Sequence, residues 1–350
     1  MKKITLLTAA LIMLIAVSIT ATAQDIGQVV AGSTADANKY LNNYLEPFGK
    51  GEILNMGRGW FNTAKVHKTL GFDVSVSAQL AIVPNDKLNF IFNNSDYSTF
   101  KLKSGASSAT VQTFVGDKTF QTITVNTTVN GRNVNYDFNT PTGVGDDMKK
   151  AIGTVAVPLP VAQVSVGLIK NTEVKLRYFP KTNFSGTEVG VFGVAVQHEF
   201  SNYLPFLKKV PFLHLSGLVG YNSMTTSYDL TGKGVPGSNQ KAELNLSAVT
   251  VQGIASVKLA FLEVYTALGY TSGKADANLK GSYTFTYKDN TNPLITYSST
   301  VVDPVALSYS NSGVSNTWGL RLNLLFLKVF ADYTFANYNG AGAGVAFSFR

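Results

Sequence analysis

The chain ends in GAGVAFSFR, residues 342–350, and every second residue of this stretch is apolar. Alternate residues of a β-strand point to opposite faces. The pattern therefore predicts a final strand with one apolar and one small or polar face. The apolar positions are Ala343, Val345, Phe347 and Phe349.

The same alternation recurs along most of the chain. The clearest segments are 72–82, 162–168, 173–178, 213–222, 274–287, 318–324 and 329–335. Ten strands are visible in all, and the long segment after Ile82 has room for two or four more. The pattern predicts 10 to 14 strands, with twelve as the best estimate.

Short and long connections alternate along these strands. Turns at 170–171, 260–261 and 327–328 are short, whereas 84–160, 231–240 and 288–313 are long. Short turns at one end and long loops at the other are typical of outer-membrane barrels, in which strand number is even. A sheet in lipid must close so that every backbone group is paired. We therefore predict an all-β, antiparallel transmembrane barrel whose last strand pairs with the first.

The N-terminus and the composition agree with export. Lys2 and Lys3 precede an apolar run, and Ala21-Thr22-Ala23 forms a small-residue cleavage site, which together predict a signal peptide over residues 1–23. Charged residues make up 14% of the chain, against about 25% in soluble domains. The scattered basic residues form no patch, which argues against nucleic-acid binding. We predict location in the outer membrane.

A short helix precedes the first strand. Ala37, Tyr40, Leu41, Tyr44 and Leu45 have helical spacing. Ser33, Thr34 or Asp36 can cap its start, Pro47 and Gly49 are expected to end it, and residues 49–59 are expected to be a loop. We call residues 24–66 the plug segment. Residues 67–350 are then the barrel, and residues 84–160 are a long extracellular insert.

Two stretches carry a resemblance to a known class of protein: GRGWFNTAKVHKTLGFDVSV (57–76) and YLPFLKKVPFLHLSGLVGY (203–221). They resemble a family of uncharacterised Gram-negative outer-membrane barrels that is distantly similar to the long-chain fatty-acid transporter class. The resemblance implies an N-terminal segment inside the barrel and hydrophobic ligands that pass through the interior or leave laterally. Residues 25–65 occupy the position of that internal segment.

Motifs for catalysis, metals and cofactors are absent from the sequence. Three histidines, His67, His198 and His214, have no metal-ligand spacing, and there is no cysteine. His214 and Ser216 share a strand face, but Cβ atoms two residues apart are about 7 Å from each other, which is long for a nucleophile and its base. We predict no catalytic residue, no metal, no cofactor and no enzyme activity.

The candidate ligand contacts are Tyr40, Tyr44, Arg177, His214 and Arg321. The tyrosines offer apolar surface, and either arginine can hold a carboxylate in a bidentate pair. Further charges predicted to face the lumen are Glu173, Lys175, Lys274, Lys280 and Asp332.

The leading hypothesis is a barrel that binds or passes small hydrophobic or amphipathic molecules. A structural or surface-interaction barrel of an envelope assembly, which would bind through the insert, is the alternative. A barrel hydrolase is the third. The expected partners are outer-membrane lipid, a small amphipathic ligand and, through the C-terminal strand, the barrel assembly machinery.

Overall fold

The computed structural model describes residues 27–129, 131–184, 186–203, 205, 210–232, 235–288 and 294–349. The predicted signal peptide lies outside these residues. No helix in the described part of the chain is long and apolar enough to cross a membrane.

The longer helices are α1 (Thr34–Met56) and α2 (Gly145–Ile152). Short 3₁₀ helices lie at Asn85–Lys87, Asn94–Asp96 and Ser201–Tyr203. The strands are β1 (Phe72–Ile82), β2 (Asn89–Asn93), β3 (Phe100–Leu102), β4 (Ser108–Gln112), β5 (Thr122–Val129), β6 (Arg132–Asn139), β7 (Ala156–Gly167), β8 (Thr172–Phe184), β9 (Thr187–Glu199), β10 (Leu213–Asp229), β11 (Gly237–Leu259), β12 (Leu262–Lys288), β13 (Thr296–Val302), β14 (Val305–Leu324), β15 (Leu327–Phe335) and β16 (Gly340–Phe349).

Strands of the barrel wall form a closed antiparallel ring. Its order is β1, β7, β8, β9, β10, β11, β12, β14, β15 and β16, and β16 pairs back onto β1 with Phe349 opposite Phe72. The predicted closure is confirmed, and ten strands lie at the lower limit of the predicted range. The estimate of twelve was too high because the described residues between β1 and β7 add no strand to the wall. They form separate sheets of β2–β4 and β3–β5–β6, and β13 pairs only with the far end of β12.

The two faces of the wall differ in polarity as predicted. On β1, Phe72 and Val74 are exposed on the outer face, while Ser75, Ser77 and Gln79 are buried inside. Exposed aromatic residues form two rows. One lies at the short-turn end and comprises Phe72, Phe261, Phe326, Phe347 and Phe349; the other lies farther along the strands and comprises Tyr178, Phe192, Tyr221, Tyr270 and Phe335. An apolar outer band between two aromatic rows is the arrangement of a membrane barrel.

The polarity of the faces reverses where the longest strands extend beyond this band. Leu279, Tyr283 and Phe285 of β12 are buried inside, whereas Lys274 is exposed and Lys280 forms an ion pair with Asp303 at 3.3 Å. The prediction that Lys274 and Lys280 face the lumen was therefore wrong. In this part of β12 the inward-facing side chains are apolar and pack against other apolar residues, so the polar side chains face outward.

Helix α1 lies inside the barrel and is longer than predicted. It begins at the Ser33 cap, where the Asp36 N–H donates to Ser33 Oγ at 3.4 Å, and it continues through Pro47 to Met56. Residues 49–56 were expected to be a loop. They are helical instead. Gly49 and Gly51 let the helix pass close to Tyr309 of β14 and Tyr338 of the β15–β16 loop, since an added Cβ would lie 3.1–3.2 Å from these side chains.

The plug segment runs the whole length of the lumen. Its start lies at the long-loop end, where the Asn38 side chain donates to the Pro304 carbonyl at 2.9 Å. The helix ends inside the barrel, where Gln252 of β11 donates to the Gly57 carbonyl at 3.0 Å. The chain then reaches the short-turn end, where β1 begins.

The insert covers the long-loop end. Phe90 of β2 packs against Tyr40 of α1, with ring centroids 5.7 Å apart. The Phe114 N–H donates to the Tyr44 carbonyl at 2.8 Å, and the Tyr44 hydroxyl donates to the Thr142 carbonyl at 2.9 Å. These contacts join the insert to the plug helix, so the insert forms a lid over the lumen.

Candidate ligand site

A cavity of about 470 Å³ lies between α1 and the wall at strands β7 and β8. One continuous face of the helix lines it: Leu41, Tyr44, Leu45, Phe48, Gly49 and Glu52. The volume lies within the range of pockets that bind small molecules. Most of the lining is aliphatic or aromatic, so the cavity suits an apolar chain.

The cavity reaches both faces of the wall. Val157, Leu159 and Val161 of β7, which line it, are buried inside, whereas Ala162 and Tyr178, which also line it, lie on the outer face. A closed wall separates its two faces. The shared lining therefore shows an opening in the wall at this place.

The opening arises because β7 and β8 pair over only part of their length. Their ladder runs from Gly167↔Glu173 to Gln163↔Arg177 and stops there. Beyond it, residues 156–162 pair with β1 alone, and residues 178–179 and 182–184 pair with β9 alone. A gap therefore separates the two strands toward the long-loop end.

Prolines explain why the ladder stops. The N–H of Val83, the residue after β1, donates to the Val155 carbonyl at 3.0 Å. The backbone N–H and C=O groups of odd-numbered β7 residues therefore point toward β1, and those of even-numbered residues point toward β8. Pro158 and Pro160 thus lack the N–H groups that would bond to β8. Continuing the register from Gln163↔Arg177 places Pro160 opposite Pro180, a pair in which neither residue has a donor.

Arg177 lies at the base of the cavity and donates three hydrogen bonds to neutral groups. Its side chain donates to Gln163 Oε1 at 3.0 Å, to the Arg58 carbonyl at 2.8 Å and to the Met56 carbonyl at 3.5 Å. The guanidinium carbon lies 3.6 Å from the ring centroid of Trp60. Met56 ends α1, so Arg177 places a positive charge at the negative end of the helix dipole.

Besides Glu243, which is half-buried and pairs with Lys241 at 3.3 Å, Glu52 contributes a carboxyl group to the cavity. It is 2% exposed, and its one hydrogen bond within the described residues comes from Asn55 Nδ2 at 3.4 Å. Burial raises the pKa of Glu52 to about 7, against smaller opposing effects of Asn55 and Arg58. Asn55 Nδ2 also donates to the Val157 carbonyl at 3.0 Å, so Glu52 lies beside β7.

The structure brings two of the five predicted ligand residues together. Tyr44 and Arg177 both line the cavity. Tyr40 packs against the insert instead. His214 and Arg321 lie in the other half of the lumen, where they bind the plug and its neighbours. Their prediction as ligand contacts does not agree with this cavity.

Three buried carboxylates in the half of the lumen that contains His214 and Arg321 bind the end of the plug. Glu173 accepts from the His67 N–H at 2.9 Å, Glu199 accepts from the Val66 N–H at 3.1 Å, and Glu263 accepts from the Thr63 hydroxyl. His214 pairs with Glu199 at 2.7 Å, and Arg321 donates to Asn62 Oδ1 at 2.8 Å. Charge-assisted bonds of this kind are strong, so this cluster, the plug clamp, fixes the end of the plug.

Sequence reasoning missed Glu52 and the prolines of the gap. It assigned Glu52 to a loop and Pro158 and Pro160 to the insert. The signal for the gap was present in VPLPV, residues 157–161. Two prolines spaced by two residues direct their backbone to the same edge of a strand, and that edge therefore lacks two N–H donors. In the described part of the chain no group of residues is suited to hold a metal ion.

Comparison with known proteins gives weak structural likenesses. Ail of Yersinia pestis shares 10% identity over 80% of this chain and 99% of its own, with a TM-score of 0.27. The translocator domain of NalP from Neisseria meningitidis (10% identity, 81% and 90% coverage, TM-score 0.28) and the protease OmpT of Escherichia coli (10%, 80% and 97%, 0.28) are similar at the same level. Likenesses this low carry no information on function.

The sequence comparisons identify a family. A search of curated protein sequences finds no match. The model of a family of unknown function, DUF6588, matches residues 1–349. The chain therefore belongs to the DUF6588 family, and it is an outer-membrane-type β-barrel with a helical plug.

Proposed function

We propose that this barrel binds a small hydrophobic or amphipathic molecule in the α1 cavity and exchanges it with the surrounding lipid through the gap between β7 and β8. The observation that carries the proposal is a cavity lined from both faces of the wall. The lid and the plug clamp obstruct the two ends of the lumen. A lateral route needs neither to move.

The proposed setting is the outer membrane, with the short-turn end in the periplasm. The apolar band and the aromatic rows support contact with lipid. Assembly through the C-terminal strand by the barrel assembly machinery belongs to the same proposal. We propose no nucleic-acid partner and no cofactor.

The binding test uses the neutral fluorescent probe 1-N-phenylnaphthylamine with the barrel in zwitterionic nanodiscs. We expect saturable fluorescence that weakens about tenfold in Tyr44→Ala, because the ring forms part of the cavity lining. Tyr40→Ala is the matched control: it removes the same side chain one turn earlier, where it packs against the insert. Equal loss in both variants, or no saturable signal in the wild type, would refute binding in this cavity.

A surface-interaction role is the second candidate, and the insert favours it. The β5–β6 hairpin exposes a ladder of side-chain hydrogen bonds between strands: Thr122–Asn139, Thr124–Asp137, Asn126–Asn135 and Thr128–Asn133. This flat polar surface is suited to contact with a partner outside the cell. It becomes the leading candidate if the probe does not bind.

We propose that the protein is not a hydrolase, although His67 lies between a carboxylate and a serine, as the histidine of a catalytic triad does. Its Nδ1 is 2.6 Å from Glu173 and its Nε2 is 2.9 Å from Ser348 Oγ. The Asp73 carboxylate, however, lies 3.9 Å from the same Nε2, and the Ser348 N–H already donates to the Phe326 carbonyl. A negative charge near the serine disfavours the oxyanion that acyl transfer requires.

A further inference from the structure

We infer that the molecule held in the α1 cavity has a polar end that donates hydrogen bonds, an amine or a hydroxyl, rather than a free carboxylate. The inference rests on the proposed function and concerns the chemistry of the same cavity. It follows from which polar groups of the cavity are already engaged and which are not.

The cation that lines the cavity, Arg177, is already used to hold the plug segment and the wall together. Three neutral acceptors, Gln163 Oε1 and the carbonyls of Met56 and Arg58, take its N–H groups. Its planar face is covered by Trp60. Bidentate binding of a carboxylate would need two parallel N–H groups, so a carboxylate would compete with the bonds that hold the end of α1.

Acceptors, in contrast, remain available at the gap. The alternation along β7 directs the carbonyls of Pro158 and Pro160 toward β8, which does not pair with them. Glu52 lines the same cavity and receives a single long hydrogen bond. Unpaired acceptors in an apolar setting are costly, and a ligand that donates to them removes that cost.

The charge of Glu52 also favours a ligand with a hydrogen-bond donor over a carboxylate. Glu52 ionises close to neutral pH because burial disfavours its charged form, and an ammonium group beside it would stabilise that form. A carboxylate at the same place would add a second negative charge and repel it. An alkyl chain ending in an amine or a hydroxyl therefore matches both the apolar lining and the acceptors.

The test measures displacement of 1-N-phenylnaphthylamine by decylamine, decanol and decanoate, which share one chain length. At pH 8 in zwitterionic nanodiscs, we expect decylamine or decanol to displace the probe at concentrations about tenfold below decanoate, as expected for one hydrogen bond to a charged group. If decylamine is the strongest competitor, the polar end of the ligand is an amine. If decanol is the strongest, it is a hydroxyl.

Glu52→Gln should remove most of the advantage of decylamine. Glu46→Gln should keep it, because Glu46 lies on the same helix but forms a half-buried pair with Lys50 at 2.5 Å. Uptake of the probe itself shows that each variant is folded. Decanoate as the strongest competitor, or an unchanged decylamine response in Glu52→Gln, would overturn the inference while leaving the proposed function intact. Absence of probe uptake by the wild type would instead contradict the proposed function.

Discussion

Glu52 is a glutamate whose properties are set by where the helix places it. On an exposed helix its carboxyl would ionise near pH 4.3. In the cavity the ionised form loses its hydration, and the pKa rises to about 7. The sequence alone does not indicate this shift, because the strands that bury Glu52 lie far along the chain.

This shift predicts a pH dependence of stability. The folded state holds the proton of Glu52 more tightly than the unfolded chain does, so the stabilisation is complete below about pH 4.5 and is lost as pH rises through about 7. Without ligand, we expect the free energy of unfolding to fall by up to about 3 kcal/mol between pH 5 and pH 8. Urea titrations in detergent measure it. Glu52→Gln should remove that part of the slope and Glu46→Gln should not; identical slopes in all three proteins would contradict the assignment.

At the scale of elements, the start of α1 was predictable and its end was not. The Ser33 cap and the spacing of residues 37–45 are local signals, and the structure confirms both. Gly49 and Gly51 resemble local stop signals, but their cause is tertiary: the helix passes close to Tyr309 and Tyr338. Strand positions followed from alternation, whereas the gap depends on which prolines face each other across two strands, which needs the register.

Pro160 and Pro180, which occupy facing positions across the gap, give a prediction for the wall. In Pro160→Val with Pro180→Val, both strands regain an N–H at facing positions, so we expect the β7–β8 ladder to extend and the gap to narrow. Stopped-flow uptake of 1-N-phenylnaphthylamine should then be slower than in the wild type. Pro84→Val, a change outside the wall strands, is the control. An uptake rate unaffected by the double change would mean that the probe enters elsewhere.

The whole molecule combines a closed ring with two obstructed ends. β1 and β16 close the wall, the insert covers the long-loop end, and the plug clamp fixes the plug at the other. An axial pore would need both ends to open. The gap between β7 and β8 is an opening that needs no such change, which is why we assign the exchange of ligand to the side of the barrel.

The most direct test closes that gap with a disulfide in a chain that has no native cysteine. Ala162→Cys and Tyr178→Cys are the next facing positions beyond Gln163↔Arg177, and Val164→Cys with Leu176→Cys cross-links the same strands where they already pair. We predict that oxidation of the first pair abolishes uptake of 1-N-phenylnaphthylamine from lipid, that reduction restores it, and that the second pair has no effect. Uptake that continues with the first pair fully cross-linked would contradict lateral exchange.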